Sequence, residues 1–420
     1  MPEAHDVQAA VEEAHRGEWG LVLAATARFV GGDLSLAEEA TQDAYVAALQ
    51  TWGERGIPRR PGAWLTATAR RKALDVIRRD AVLRRKLPAL AASASEETAD
   101  DEEEGDVIPD DRLRLVFTCC HPALAPEARS ALTLRLVCGL STAEIARAYL
   151  VPEATLAARI TRAKKKIAAT AIPYRVPEGP ELAERTDDVL TVVHLVFTAG
   201  HTATGGDELV RADLVARSLD LARVLATLLP EDPEVVGLLA LLELTDARRE
   251  ARVGADGELV LLEDQDRSRW DRTSIEHGLA MLDRGLRLTG PQRPPGRFLL
   301  QAALAAVHAE AATWDDTDWA AAVLLYDQLL VVWPSPVVAL NRAVAVGFAD
   351  GPAAGLAALD GLADEPMLAR YHYLPTARAE LLRRLGRGAE AAAAYRDALT
   401  LVTAEPERRH LERRLATLAE

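Results

Sequence analysis

LSTAEIARAYLVPEATLAARITRAKKKI, residues 140–167, reads as two helices joined by a tight turn. Ser141 and Glu144 have the spacing of a capping box, in which the hydroxyl and the carboxylate each satisfy a free amide at the helix start. The first helix is expected from Thr142 to Leu150. It stops at Val151-Pro152, because proline has no amide to donate and restricts the residue before it. A second helix starts at Glu153. On it Leu156, Ile160, Ala163 and Ile167 recur at helical spacing and should pack inward. Thr155, Ala158, Arg159, Arg162, Lys165 and Lys166 fall around the opposite side. Short helix, turn and longer basic helix make a helix-turn-helix, whose second helix fits a DNA major groove. The plain alternative is a solvated basic face on an ordinary helix.

Working outward, the formal charge of −15 over 420 residues hides a strong segregation. Residues 1–51 carry two basic and nine acidic groups, and residues 52–86 carry eleven basic against three acidic. Residues 87–111 carry ten acidic and no basic groups, and residues 112–176 return to eleven basic against three acidic. Charges further apart than a Debye length are screened, so the two local basic blocks count for more than the total. The acidic stretch LPALAASASEETADDEEEGDVIPDD is too small and polar to bury a core and reads as a flexible tether. A second break falls at IPYRVPEGP, residues 172–180. The expected domains are 1–86, a tether over 87–111, 112–176, a helical part over 177–290, and 291–420.

The fold class is all-α: the chain has many Ala and Leu, few β-branched stretches and recurrent helix-period patterns. No signal peptide or membrane-length apolar run is visible, and three cysteines make no disulfide framework, so a reducing, cytoplasmic setting without membrane contact is expected. Within the first block, a helix over Leu36–Trp52 carries Glu38, Glu39, Gln42 and Asp43. Glu39 and Asp43 are a like-charge pair four residues apart, a cost that a cationic partner would reverse. The loop Gly53–Pro61 leads to a helix from Trp64 to Arg85, with Leu65, Ala69, Ala73 and Val76 on its buried side and Arg71, Asp75 and Arg78 away from it. Such cations bind phosphate without reading sequence. Trp64 has two readings, a core residue or a platform for an unpaired base.

AEEATQDAYVAALQTW (37–52) followed by GAWLTATARRKALDVIRR (62–79) resembles the second conserved region of bacterial sigma factors, and residues 140–167 resemble the fourth. Only these two regions, joined by an acidic tether, are present, as in the extracytoplasmic-function subgroup. DDRLRLVFTCCHPAL (110–124), LVLLEDQDRSRW (259–270) and SPVVALNRAVAV (335–346) resemble the sigma subgroup with a tetratricopeptide-like C-terminal extension. One departure is Phe197-Thr198-Ala199-Gly200-His201, where that pattern has Asn-Glu-Gly-Tyr after the Phe, so no acidic role carries over there.

The resemblance implies two partners, core RNA polymerase (its β′ clamp helices and β flap) and promoter DNA. Glu38, Glu39, Gln42 and Asp43 would dock on the clamp helices. Arg59, Arg60, Trp64, Arg70, Arg71, Lys72, Asp75, Arg78 and Arg79 would lie at or near a melted minus-10 element. Glu153, Ala154, Thr155, Ala158, Arg159 and Arg162 would read the minus-35 element, with Lys164, Lys165 and Lys166 on phosphate. No covalent chemistry and no cofactor is implied.

The C-terminal region is helical by pattern and partly repetitive. Tyr326 and Tyr395 open similar pentapeptides 69 residues apart, about two tetratricopeptide periods. Leu385-Gly386-Arg387 before Glu390 and Tyr395 fits a repeat's helix, turn and helix. Stacked repeats suit a regulatory protein or peptide, or simply brace the rest. Cys119-Cys120-His121 is expected to be buried helix-end chemistry rather than a metal site, since adjacent ligands strain a tetrahedron. Glu263-Asp264-Gln265-Asp266 is expected to form a structural turn with ion pairs to Arg267 or Arg269. His194, His201 and His308 have no visible catalytic companions, so no enzyme is expected. The competing reading is a helix-turn-helix regulator with a repeat-type sensor that acts without the polymerase.

Overall fold

The computed structural model describes residues 4–86, 109–149, 151–201, 212–254, 259–290 and 294–418. The acidic stretch 87–108 lies outside the described residues. Among those described the structure is helical, and the one strand-like feature is a single bridge between Val253 and Leu259. The chain forms two compact units, Met1–Val192 and Val193–Glu420.

In chain order the first unit contains α1 (Ala4–Phe29), α2 (Leu34–Arg55), α3 (Pro61–Lys86), α4 (Pro109–Cys119), α5 (Pro126–Leu132), α6 (Thr142–Ala148) and α7 (Glu153–Ala169). Helix α8 (Pro180–His201) runs from this unit into the next. Helix α2 begins where Asp33 accepts from the amides of Ser35 and Leu36, both at 3.0 Å, and ends at Gly56, whose φ of 81° suits a residue without Cβ. Helices α1, α2 and α3 pack on one another around Leu23, Trp52, Leu65 and Ala69. Helix α1 also packs on α4 and on a π-helical turn, Thr133–Val137, that follows α5.

That last contact joins the two basic blocks closely. The Trp19 indole donates to the Leu136 carbonyl at 3.1 Å, and the Tyr174 hydroxyl donates to the Ala24 carbonyl at 3.0 Å. Gly20 is required by the approach: a Cβ there would stand 2.6 Å from the Val137 carbonyl oxygen. Asp111, expected as the end of the tether, is instead buried in α4 and pairs with Arg114 and Arg28. Its placement follows from Pro109, since proline at a helix start loses no hydrogen bond.

The second unit contains α9 (Ala212–Leu228), α10 (Pro233–Asp246), α11 (Arg249–Arg252), α12 (Arg272–Thr289), α13 (Arg297–Glu310), α14 (Trp319–Val332), α15 (Pro336–Ala349), α16 (Pro352–Asp360), α17 (Tyr373–Arg384), α18 (Gly388–Leu401) and α19 (Glu405–Ala416). Helix α10 is apolar all round and buried from Val235 to Leu244, as such a pattern demands, and α9, α12 and α13 cover it. From α13 onward each helix packs on the next: α14 on α15, α15 on α16, α17 on α18 and α18 on α19. The turn between α17 and α18 is Leu385-Gly386-Arg387, with Tyr395 buried and donating to Glu380 at 3.0 Å. Glu263 pairs with Arg384 and Arg414, each at 3.0 Å, rather than with Arg267 or Arg269. Arg267 is drawn away by free carbonyls, as described below.

Candidate nucleic-acid interface

The helix-turn-helix is built as its spacing predicts. The Ser141 amide donates to Glu144 at 2.7 Å and the Glu144 amide to the Ser141 hydroxyl at 3.1 Å, a closed capping box at the start of α6. Helix α7 buries Leu156, Ile160, Ala163 and Ile167, packing on α5 and α6. Glu153, Ala154, Thr155, Ala158, Arg162, Lys165 and Lys166 are exposed and Arg159 is half-buried. Arg159, Arg162 and Lys166 line a cleft of about 270 Å³ with Glu127, beside the start of α5. Lys166 donates to the Ala123 carbonyl.

Helix α3 and the loop before it present a denser array. Arg59, Arg60, Arg70, Arg71, Lys72, Asp75, Arg78 and Arg79 are all exposed. Among the described residues none of these seven cations forms an ion pair; Arg71 and Arg79 reach only their own helix, and Arg70 stands 5.8 Å from the Phe29 ring. Unpaired, solvated cations on one helix and the loop leading into it form an attractive field for a polyanion. Leu65, Ala69 and Ala73 are buried beneath them, while Val76 is half-buried. Trp64 is half-buried and meets Trp52 edge-on at 5.6 Å.

The acidic set on α2 divides. Glu39, Gln42 and Asp43 are exposed and share one stripe with Val46 and Leu49, each 51% exposed. Sequence reasoning missed those two apolar residues; their signal was the same i, i+3, i+4 spacing. Glu38 faces the other way. It is 7% exposed, accepts from Arg135 Nε at 2.5 Å and forms an ion pair with Lys164. Arg135 sits in the π-helical turn and Lys164 in α7, so one carboxylate holds two cations of the second basic block against the first. Of the residues expected to touch polymerase or phosphate, Glu38 and Lys164 are therefore engaged inside the unit.

The remaining candidates are quiet. Cys119 and Cys120 are buried at the end of α4, and burial pushes the Cys120 thiol up to about 12, so neither is a thiolate ligand near neutral pH. His121 is shifted down by burial and by Arg185. Among the described residues no three His, Cys, Asp or Glu groups converge as a metal site, and no helix is long and apolar enough to cross a membrane.

Comparison with known proteins agrees with this geometry. Residues 19–82 match the family model for Sigma-70 region 2, residues 114–167 that for Sigma-70, region 4, and residues 185–286 a family of unknown function, DUF6596. The chain is 43% identical to an uncharacterized protein of Rhizobium meliloti (strain 1021) over 394 residues, covering 92% of this chain and 91% of that protein. No solved structure matches it.

Proposed function

This chain belongs to the sigma-70 family and has a sigma-factor role in promoter recognition; we propose that it is an extracytoplasmic-function type whose two regions act on two promoter elements. In this reading α2 docks on the β′ clamp helices of core RNA polymerase through Glu39, Gln42 and Asp43, with Val46 and Leu49 supplying apolar contact. The helix-turn-helix domain, residues 112–176, leans on the β flap. Helix α3, in the domain over residues 1–86, holds the minus-10 element on its cations. Helix α7 reads the minus-35 element with Glu153, Ala154, Thr155, Ala158, Arg159 and Arg162, and Lys165 and Lys166 lie on phosphate. The tetratricopeptide-like region, residues 291–420, receives a regulatory protein or peptide.

The observation that carries this reading is the array of unpaired, exposed cations on α3 beside an exposed acidic and apolar stripe on α2. A DNA-binding regulator acting alone has use for the first but not the second. Glu38 and Lys164 join the work only after their mutual contact opens, because a carboxylate held by two cations offers little to a third.

The test is transcription reconstituted from core polymerase and full-length protein on a genomic promoter library across a salt series. Promoter-specific transcripts are expected, and Arg159→Ala should reduce use of minus-35 variants unevenly, by about tenfold at the most dependent promoters, with core binding unchanged. Absence of any promoter-specific transcript from folded protein refutes the reading, and an equal loss of core affinity refutes the role given to Arg159.

A further inference from the structure

The C-terminal unit holds a group of buried polar atoms without a hydrogen-bond partner. Arg267 is 9% exposed. Its Nη1 donates to the carbonyls of His308 at 2.7 Å and Ala311 at 2.5 Å, satisfying the free end of α13, whereas its Nη2 is buried without a partner. The same guanidinium lies 4.6 Å from the Trp270 ring, and the Trp270 indole nitrogen is buried and unpartnered. His308 meets Trp319 edge-on at 5.4 Å and leaves Nδ1 buried and unpartnered. Thr317, whose carbonyl receives the Trp319 amide at 2.9 Å, is 6% exposed with an unpartnered hydroxyl.

Arg248, half-buried, lies beside the group. The Asp271 amide donates to the Ala247 carbonyl at 2.9 Å, which sets Arg248 beside the Arg267–Asp271 turn. Arg248 is half-buried and forms no hydrogen bond or ion pair among the described residues. Burial above all, and then Arg252 and Arg267 of its own sign, push it down to about 10. The nearby carboxylates serve other cations: Asp316 acts on Arg267, and Glu407, held by Tyr373 and His372, acts on Arg252.

Buried donors are normally satisfied, and a cluster left open in one place needs an acceptor. We infer that Arg248, Arg267, Trp270, His308 and Thr317 form a binding site for a small molecule bearing a tetrahedral oxyanion, a phosphate or phosphomonoester. Two guanidinium groups match a dianion in charge, and donors arriving from the α10–α11 junction, the 267–270 turn, α13 and the loop before α14 suit oxygens pointing in several directions. A carboxylate presents two coplanar oxygens and leaves some of these donors empty. The site lies in the C-terminal unit, separate from the residues assigned to DNA or polymerase.

The experiment is a thermal-unfolding and calorimetric titration of the full chain at constant ionic strength, with inorganic phosphate, glycerol 3-phosphate and acetate as probes and chloride as the balancing salt. Phosphate or the phosphomonoester should raise the C-terminal unit's transition by about 3 to 6 °C at ten times its Kd, and acetate should not. A larger rise with glycerol 3-phosphate identifies an esterified ligand, and an equal one identifies the free ion. Arg248→Gln should abolish the rise. It should leave the transition in chloride unchanged or higher, because Arg248 has no partner in the fold to lose. Thr317→Val, which keeps the shape, should weaken binding about fivefold. No phosphate-dependent shift in the natural chain, an equal shift with acetate, or a shift that survives Arg248→Gln overturns the inference; the first outcome assigns the open donors to water.

Discussion

The two units differ in where their densest groups of unpaired charge lie. In the N-terminal unit unpaired cations stand in water: among the described residues Arg70, Arg71, Lys72, Arg78 and Arg79 on α3, and Arg162 and Lys165 on α7, are exposed. In the C-terminal unit Arg267, His308 and Trp270 are gathered with buried polar atoms left unpartnered, and several histidines are enclosed. An outward cation costs the fold little and remains available to a polyanion, so its purpose lies in a partner. An inward polar group weakens the fold unless something satisfies it. Glu38 is an exception in the N-terminal unit, a buried carboxylate held between Arg135 and Lys164.

Acidification should separate the two units most strongly. Burial holds His194 and His308 at about 4, against an ordinary value of 6.5, with Arg297 adding to the first and Arg248 and Arg267 to the second. Both are neutral in the fold, so between pH 6.5 and 4 the unfolded chain binds protons that the folded chain refuses. Their contribution is fully present above pH 6.5 and is lost as pH falls toward 4, by roughly 2–3 kcal/mol each. Hydrogen exchange resolved by peptide, corrected for the intrinsic pH dependence, should show protection falling between pH 6.5 and 5 in residues 212–418 and holding in residues 4–86. His194→Gln, neutral throughout, should remove part of the fall, the rest belonging to His308 and to His201, which burial also holds well below its ordinary value. Equal loss in both units breaks the comparison.

A slightly smaller effect tests the exception. Glu38→Ala leaves Arg135 and Lys164 facing each other at the contact between the two basic blocks, which should destabilise the N-terminal unit by about 2–4 kcal/mol. Glu39→Ala, one residue away and exposed, should change stability by no more than about 0.5 kcal/mol. Urea midpoints for the two variants give the answer directly. Similar midpoints would mean that Glu38 is a surface residue in solution.

Which of these features the sequence displays depends on how local they are. The buried face of α7, Leu156, Ile160, Ala163 and Ile167, and the Ser141–Glu144 box were legible because each is a relation among neighbours a few residues apart. The exposed cations of α3 were legible for the same reason. Glu38 was read as equivalent to Glu39, Gln42 and Asp43, since nothing within a helical turn marks it as different; its partners lie 97 and 126 residues away. Glu263 was likewise matched to the arginines beside it, yet its partners are 121 and 151 residues distant. Arg267 was unavailable because two free carbonyls at the end of α13 outcompete a solvated carboxylate, and that helix end has no signature in the sequence around Arg267. Charge pattern thus identifies what a helix shows to solvent, and tertiary pairing decides which of those charges are left over.

The finest test compares two adjacent lysines with the same composition and opposite placement. Lys165 is exposed and, among the described residues, unpaired, so it is free to displace a counterion from a DNA phosphate. Lys164 is held by Glu38 and is half-buried. For the chain without polymerase, binding to a fluorescent duplex across a salt series should lose about 0.9 from its log–log slope in Lys165→Ala, or about fivefold in affinity near 0.15 M salt. Lys164→Ala should leave that slope unchanged while lowering the urea midpoint, because it removes a partner of Glu38 rather than a contact with DNA. With core polymerase present the two variants should converge, each losing about one phosphate contact, if docking frees Glu38 and with it Lys164. A slope that falls equally for both lysines without polymerase would place the latch open from the start and leave Glu38 free to dock unaided.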